Sequence, residues 1–323
     1  MFRYRKYIYE VYKHKSFSKA AEALHISQPS LSFTIKKAEE ELGIRIFDRG
    51  FSPIKLTDEG IKYIDAVKKI IEIEERYANE LNVNDSDLQG EVSFMTNHIY
   101  ATQVFPHIID EYNKRFPKVK VFMTEGSISQ EKSGMSLGEI DFSVDNDNSP
   151  NELYSRTLLT KERTYLCGKR EMISKHISEK YLFSAKEIPD ATIKNKGISL
   201  TDFAPLSGLP FILLTPGNNM RNKADAMFEQ AGISIDPLIQ VVQMATAYVL
   251  SERIDALTFA SDTLIKNIPL DSLFFCPIDT ELAVNDIVCS TKRNRYLTRP
   301  AKEFLSLTAT GFRQLIPNSI TDF

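Results

Sequence analysis

Apolar positions near the start of the chain follow a helical period. Phe17, Ala20, Ala21 and Leu24 fall at i, i+3, i+4 and i+7, one buried stripe on a short helix. The paired alanines let a second helix come close. His25 and Ile26 predict a turn. Ser27 then offers a hydroxyl to cap a new helix, and Pro29 sits in its first turn, where a missing N–H costs little. Leu31, Ile35, Ala38 and Leu42 give that helix its inward face, and Gly43 ends it. Gln28, Ser32 and Lys36, at i, i+4 and i+8, lie on a different, polar face. Upstream, Phe2 to Lys15 predicts another helix, with Tyr7, Ile8 and Val11 inward. Downstream, Arg45 to Leu56 predicts a short two-stranded wing. Two short helices at a tight turn, the second with a capped polar start, form the layout that lays a helix in a DNA groove. Small helical bundles share such stripes, and a polar helix face is usually just solvated, so periodicity alone leaves both readings open.

Asp58 to about Leu81 predicts one long helix. Ile64, Val67, Ile71, Ala78 and Leu81 fit heptad a/d positions, with Glu74 the poor fit. Ile61, Ile70, Ile73 and Tyr77 widen the apolar face. This predicts a dimer seam; packing on its own domain is the alternative. The polar run Asn82 to Asp87 predicts a hinge. Beyond Gln89-Gly90 strands and helices alternate. Val92 to Met95 is a strand, Gln103 to Phe116 a helix, Val119 to Met123 a strand, Ser129 towards Leu137 a helix, and Gly138 to Val144 closes on a strand. A second such unit spans Leu209 to Ala260. The alternation predicts a mostly parallel sheet and two lobes facing a cleft. Glu171 to Ile198, Lys-rich and irregular, predicts a surface insertion.

Composition refines this picture. Apolar content of 42% is ordinary for a globular protein. No apolar run reaches the roughly 20 residues that a membrane helix needs. Charges recur through Met1 to Lys19, unlike a signal peptide, so a cytoplasmic protein is expected. Cys167, Cys276 and Cys289 are far apart, which suits a reducing compartment and offers no zinc-like spacing. The net charge of −3 argues against a nucleic-acid partner, but its distribution reverses that. Residues 1–57 hold 11 Lys and Arg against 6 Asp and Glu, a net of +5, so the remainder carries −8. A basic end on an acidic body suits a modular DNA binder, because only the docking face must meet phosphates. No P-loop, GxSxG, HExxH or ligand cluster appears. Glu74-Glu75 reads as a solvated helix face and Asp145/Asp147 as a loop. No enzyme activity, metal or cofactor is predicted.

Particular residues carry a resemblance. Phe17, Ala20-Ala21, Leu24, the run Ser27 to Ser32, Ile35, Glu39 to Gly43, Phe47, Arg49 and Leu56-Thr57-Asp58-Glu59-Gly60 resemble the N-terminal domain of LysR-type transcriptional regulators. Weaker matches continue through Phe105-Pro106, Phe116-Pro117, Gly126, Gly138 to Asp141, Ser199 to Asp202 and Pro210 to Leu214. The resemblance implies an α/β fold in three parts. These are a winged helix-turn-helix over 1–60, a linker and dimerisation helix with its hinge over 61–87, and a two-lobed, periplasmic-binding-protein-like effector domain over 88–323. Ser27, Gln28, Pro29, Ser30, Ser32, Phe33 and Lys36, with Arg49 and Lys55 from the wing, are then the DNA-binding residues. Phe33 and Ser52 stand where many members carry basic residues. Phe33 can meet a thymine methyl, which predicts an unusual operator preference.

Ligands of open α/β sheets bind beyond the carboxyl ends of strands, where helix N-termini offer N–H groups. Thr96, Asn97 and His98, then Ser127, Ile128 and Ser129, then Thr215, Gly217 and Asn218, with Gln243, are the effector candidates. In the family the matching loops often hold an anion. Each Ser or Thr could instead be a helix cap, and an isolated histidine is more often structural. Ile128 and the stretch Arg253 to Ala256 depart from the family pattern, so the effector should differ from that of well-matched members. Peroxide-sensing members use a cysteine pair in mid-domain; no cysteine lies between Cys167 and Cys276, so that mechanism is not expected. The implied partners are double-stranded operator DNA, a small-molecule effector, RNA polymerase as a further candidate, and other copies of the chain as a dimer or tetramer. A solute-binding protein and a constitutive DNA-binding protein are the competing classes.

Overall fold

A computed structural model of the protein describes residues 2–51, 53–81, 88–126, 140–146, 152–188, 197–293 and 297–316. Two compact units divide the chain: Met1–Asn84 with Tyr296–Arg299, and Asp85–Arg295 with Pro300–Phe323.

The first unit holds α1 (Arg5–His14), α2 (Phe17–Ala23), α3 (Gln28–Leu42), an antiparallel hairpin of β1 (Phe47–Asp48) and β2 (Lys55–Leu56), and α4 (Asp58–Leu81). Ile8, Val11, Phe17, Ala20, Ala21, Leu31, Ile35 and Ala38 form one core, with Tyr7, Leu24 and Leu42 packed at its edge. Ser16 caps α2 through the Lys19 N–H, and Ser27 caps α3 through the Ser30 N–H at 3.3 Å. His25 takes a left-handed φ of 54° in the turn. Gly43, at φ 69°, ends α3. Gly60 lies where any Cβ would come 2.1 Å from the Ile46 carbonyl oxygen, so the start of α4 can sit on the wing only with glycine there.

The heptad expectation needs correcting. Ile64 and Val67 are buried in this same core and Ile71 packs on it, so the face read as a seam holds the unit together. Arg5 pairs with Glu74, tying α1 to α4 at the position that broke the heptad. Ile73 and Tyr77, 57% and 66% exposed, share another face of α4. The side chains of Ala78 and Leu81 lie outside the described residues.

The second unit has two lobes. In the first, β3 (Gly90–Thr96) pairs in parallel with β4 (Val119–Glu125) and β5 (Phe142–Asp145). The helices α5 (His98–Gln103) and α6 (Phe105–Arg115) follow β3. The helix expected over Gln103 to Phe116 is α6, and a further short helix, α5, precedes it and starts directly after the strand. Phe94 stacks on Phe142, with centroids 5.2 Å apart, beneath Phe304 of the last helix, and Phe105 lies close by.

The strand β6 (Tyr154–Lys169) is then followed by a helical turn, α7 (Arg170–Ile173). The second lobe carries β7 (Ile212–Leu214), α8 (Asn219–Gln230), β8 (Ile239–Val241), α9 (Met244–Arg253), β9 (Thr258–Ser261), α10 (Asp262–Asn267) and β10 (Leu273–Pro277). β11 (Val284–Lys292) returns to the first lobe, and α11 (Arg299–Leu315) closes it.

The sheet is mixed, not mostly parallel. β6 pairs antiparallel with β11 through residues 154–163, then with β9 and β10 through 164–169, so one strand serves both lobes. The expected surface insertion is also corrected. Ile173, Ile177, Leu182 and Ile198 are core residues of the second lobe. Phe183 exchanges backbone bonds with Phe275, and the Ile198 N–H donates to the Pro277 carbonyl, so this segment covers the edge of β10. Unpaired strand edges invite association, and a covering segment removes that hazard. The expected hinge at 82–87 and helix at 129–137 lie outside the described residues.

Candidate DNA-reading face and effector cleft

On the first unit, Ser27, Gln28, Pro29, Ser30 and Lys36 are exposed along α3, and Phe33 is 70% exposed. Ser32 is partly buried because Arg49 reaches it at 3.4 Å. The same guanidinium donates to Glu39 Oε2 at 3.3 Å and lies over the Phe17 ring, 5.0 Å from its centroid. Arg49 thus joins the wing to α3 across the surface of the unit. Glu39 does more. Its Oε1 accepts the N–H groups of Ile46 and Phe47 at 2.8 and 3.2 Å, fixing the strand that begins the wing. Reading by spacing took Glu39 only as part of a motif; its position one turn before the helix end, facing the wing, was the available signal. Lys55 lies over the half-exposed Phe51 ring, 4.3 Å from its centroid, at the wing's outer side. Lys36 pairs with Glu40 at 3.7 Å on the surface. Ser52 lies outside the described residues.

On the second unit, the ends of β3, β5 and β7 and the starts of α8 and α9 surround a cavity of about 550 Å³. Thr96, Asn97, His98, Gly217, Asn218 and Gln243 line it. Thr215 does not; its N–H serves the Val241 carbonyl instead. Ser127, Ile128 and Ser129 lie outside the described residues. Thr96 Oγ1 donates to the Val144 carbonyl at 2.7 Å, locking two strand ends together. Asn97 caps α5 through the Tyr100 N–H, and Asn218 caps α8 through the Met220 N–H. Gln243 precedes α9 without capping it. His98 Nδ1 lies 2.8 Å from Glu125 Oε2. Across the cleft, Asn219 Nδ2 donates to the Asn146 carbonyl at 3.1 Å.

Asp145 also lines the cavity, with Asn146, Met95, Met220 and Met244. The reading of Asp145 as a loop acid is wrong: it is the last residue of β5 and 7% exposed. The signal was present, since the strand expected to end at Val144 points its carboxyl end into the same crevice.

Where β6 passes between lobes, Glu162 accepts from the Tyr100 hydroxyl and from Thr263 Oγ1, each at 2.8 Å, one from each lobe. Burial pushes the Glu162 carboxyl up, against these hydrogen bonds and the pull of Lys223. Burial likewise pushes the Lys223 ammonium down. Lys223 donates to Asn285 Oδ1 and the Val284 carbonyl of β11. Asp262 keeps part of its surface exposed; the shielding of its carboxyl, then the Glu162 charge, pushes it up to about 8. All three thiols are buried, and burial drives Cys167 and Cys276 up to about 12, so these two are unreactive thiols near neutral pH. Among the described residues no group of side chains could hold a metal ion, and no helix is long and apolar enough to cross a membrane.

A capped helix beside a wing, and a separate two-lobed cleft, define a DNA-binding regulator that carries a sensing domain. Comparison with known proteins agrees. Residues 2–61 match the bacterial regulatory helix-turn-helix protein, lysR family, and residues 85–313 match the LysR substrate binding domain. The chain belongs to the LysR family and is a DNA-binding transcriptional regulator with an effector-binding domain. It is 26% identical over 310 residues to the uncharacterized HTH-type transcriptional regulator YcgK of Bacillus subtilis, covering 96% of this chain and 94% of that protein. It is 26% identical over 296 residues to the regulator BenM of Acinetobacter baylyi, covering 90% and 89%. A full-length OxyR variant from Pseudomonas aeruginosa shares the fold with a TM-score of 0.68 at 17% identity, covering 95% and 93%. Full-length CbnR in complex with its target DNA shares it with a TM-score of 0.57 at 18% identity, covering 96% and 99%.

Proposed function

We propose that α3 lies in a DNA groove with Gln28, Ser32 and Phe33 against base edges, Ser27, Ser30 and Lys36 near phosphates, and Lys55 and Arg49 supporting from the wing. Pro29 sets the start of the helix. The exposure of Gln28, Phe33 and Lys36 on the helix that the wing buttresses carries this reading. Gln reads adenine through paired bonds, and an exposed aromatic ring suits a thymine methyl. Ile73 and Tyr77 supply an apolar face for pairing two chains, as a dimer or as part of a tetramer, so that two heads read two half-sites. The second unit senses a small molecule through Thr96, Asn97, His98, Gly217, Asn218 and Gln243. An occupant that binds one arrangement of the assembly better than another shifts DNA binding by that difference in affinity and no more. The chain acts by binding and not by catalysis, in the cytoplasm with the chromosome, and RNA polymerase is the partner through which promoter output would change.

Selection of bound fragments from a random DNA pool by the full-length protein tests the reading. The expected result is an enriched sequence of two related half-sites about 10 base pairs apart or a multiple of it. Binding with no enrichment would reduce the protein to a non-specific DNA binder.

A further inference from the structure

The wing carries more than charge. Phe51 stands between its two strands, half exposed, with Lys55 Nζ over the ring, 4.3 Å from the centroid. A single exposed phenylalanine is ordinary, but this one is braced on both sides. Before it, Asp48 Oδ1 accepts the Gly50 N–H at 2.9 Å, closing the turn that leaves β1. Glu39 fixes β1 itself to α3. After it, the Ile54 N–H donates to the Lys15 carbonyl at 3.2 Å, tying the returning arm to the residue that ends α1. A ring presented on two anchored arms keeps its direction, and less ordering is needed when it binds. Its place beside α3 is also set. Arg49, two residues before Phe51, reaches Ser32, the neighbour of Phe33, so the exposed Phe33 and Phe51 rings flank one bridge between wing and helix.

Major and minor grooves alternate along B-DNA. A unit that seats α3 in the major groove therefore brings an element fixed beside that helix to the adjacent minor groove. That groove shows few distinguishing base-edge groups. Apolar side chains enter it by parting a base step and kinking the duplex. The net charge of +5 on residues 1–57 favours the close approach to phosphates that such entry needs.

We infer that Phe51 is a wedge: it enters the minor groove next to the α3 half-site and parts one base step there, with Lys55 on the flanking phosphate. This rests on α3 being the reading helix and adds specificity outside the bases that α3 touches. Pyrimidine–purine steps unstack most easily, so the wing selects a deformable step and not a particular base.

The test selects bound fragments from random DNA with full-length wild type, Phe51→Ala and Phe51→Leu. Duplexes of the wild-type site are then made with 2-aminopurine, which brightens when unstacked, at each step flanking the half-sites. Wild type should enrich a TA or CA step at a fixed distance outside each half-site and brighten the probe there. Phe51→Ala should select the same half-sites, lose the flanking preference and the brightening, and bind the site about tenfold more weakly. Phe51→Leu, which keeps an apolar wedge but no ring to hold Lys55, should retain both. Brightening that survives Phe51→Ala, or none with wild type, overturns the wedge, while enriched half-sites leave the reading helix standing. Weaker binding by Phe51→Ala with unchanged brightening also overturns it, and leaves the ring as a support for Lys55. If no half-site is enriched, the reading helix fails, and the wedge is judged by the same brightening, wild type against Phe51→Ala, on a duplex of repeated TA steps.

Discussion

Glu39 offers a direct test of how the wing is held. Its carboxylate, 12% exposed, accepts two backbone N–H groups from Ile46 and Phe47, which are buried, and one guanidinium bond from Arg49. Glu39→Ala leaves both N–H groups without an acceptor. Each buried donor left unpaired costs about 1–3 kcal/mol. The Arg49 pair, with the guanidinium 44% exposed, adds at most about 1 kcal/mol. The loss is therefore about 2–7 kcal/mol. Glu39→Gln keeps an oxygen that can accept from both N–H groups and gives up the charge, a loss of about 1 kcal/mol. Hydrogen exchange of the Ile46 and Phe47 amides in the full-length protein reads this locally. With about 1.4 kcal/mol per factor of ten, Glu39→Ala should lower protection at least about 30-fold and Glu39→Gln about fivefold. Binding to every DNA sequence should weaken with Glu39→Ala, because the wing loses its anchor to α3. If the two variants lost protection equally, or Glu39→Ala lost less than about threefold, the carboxylate would not be what holds the wing.

Four further outcomes are expected. Gln28→Ala and Ser32→Ala should lower discrimination between selected and random DNA more than they lower binding to random DNA; unchanged discrimination would move the reading face elsewhere. Lys36→Ala should weaken binding to all sequences and flatten its salt dependence by about one ion; an unchanged slope would remove Lys36 from the phosphate contacts. Charging the exposed face of α4 with Ile73→Glu and Tyr77→Glu together should lower the mass seen by sedimentation, and an unaltered mass would exclude that face from assembly. Asp262 holds its proton to about pH 8 in the folded protein, against a carboxyl's ordinary 3.8, so folding gains from it at low pH and loses that gain as pH rises through 8. The stability of Asp262→Asn relative to wild type should therefore climb between about pH 4 and pH 8 in urea titrations, and a flat difference would refute the assignment.

The DNA-binding unit was legible because its signals are local. The stripe from Phe17, the Ser27 cap, Pro29 and the Gly43 stop each concern residues within a turn or two, where helical geometry dictates which side chains meet. Strand ends before helix caps were also legible, which is why Thr96, Asn97, Gly217, Asn218 and Gln243 were named and meet in one cavity. The long helix misled. Ile64, Val67 and Ile71 fit both a coiled-coil seam and a core face, and a hydrophobic period cannot say which neighbour satisfies it. The segment from Glu171 to Ile198 misled in the other direction, since Ile173, Ile177, Leu182 and Ile198 are spread among charges without a period.

Sequence by itself determined the class of partner, the capped helix α3, the basic end on an acidic body and the α/β alternation, since each depends on neighbours in the chain or on bulk charge. Tertiary structure alone decided that β6 serves both lobes, that Glu162 receives a hydrogen bond from each, and that Asp145 stands in the cleft wall. These join residues that lie tens of positions apart, through strand pairing whose order no local pattern encodes. The Tyr100–Glu162 bond, 62 residues apart in the chain, exists because α5 and β6 pack together and not because either segment announces it.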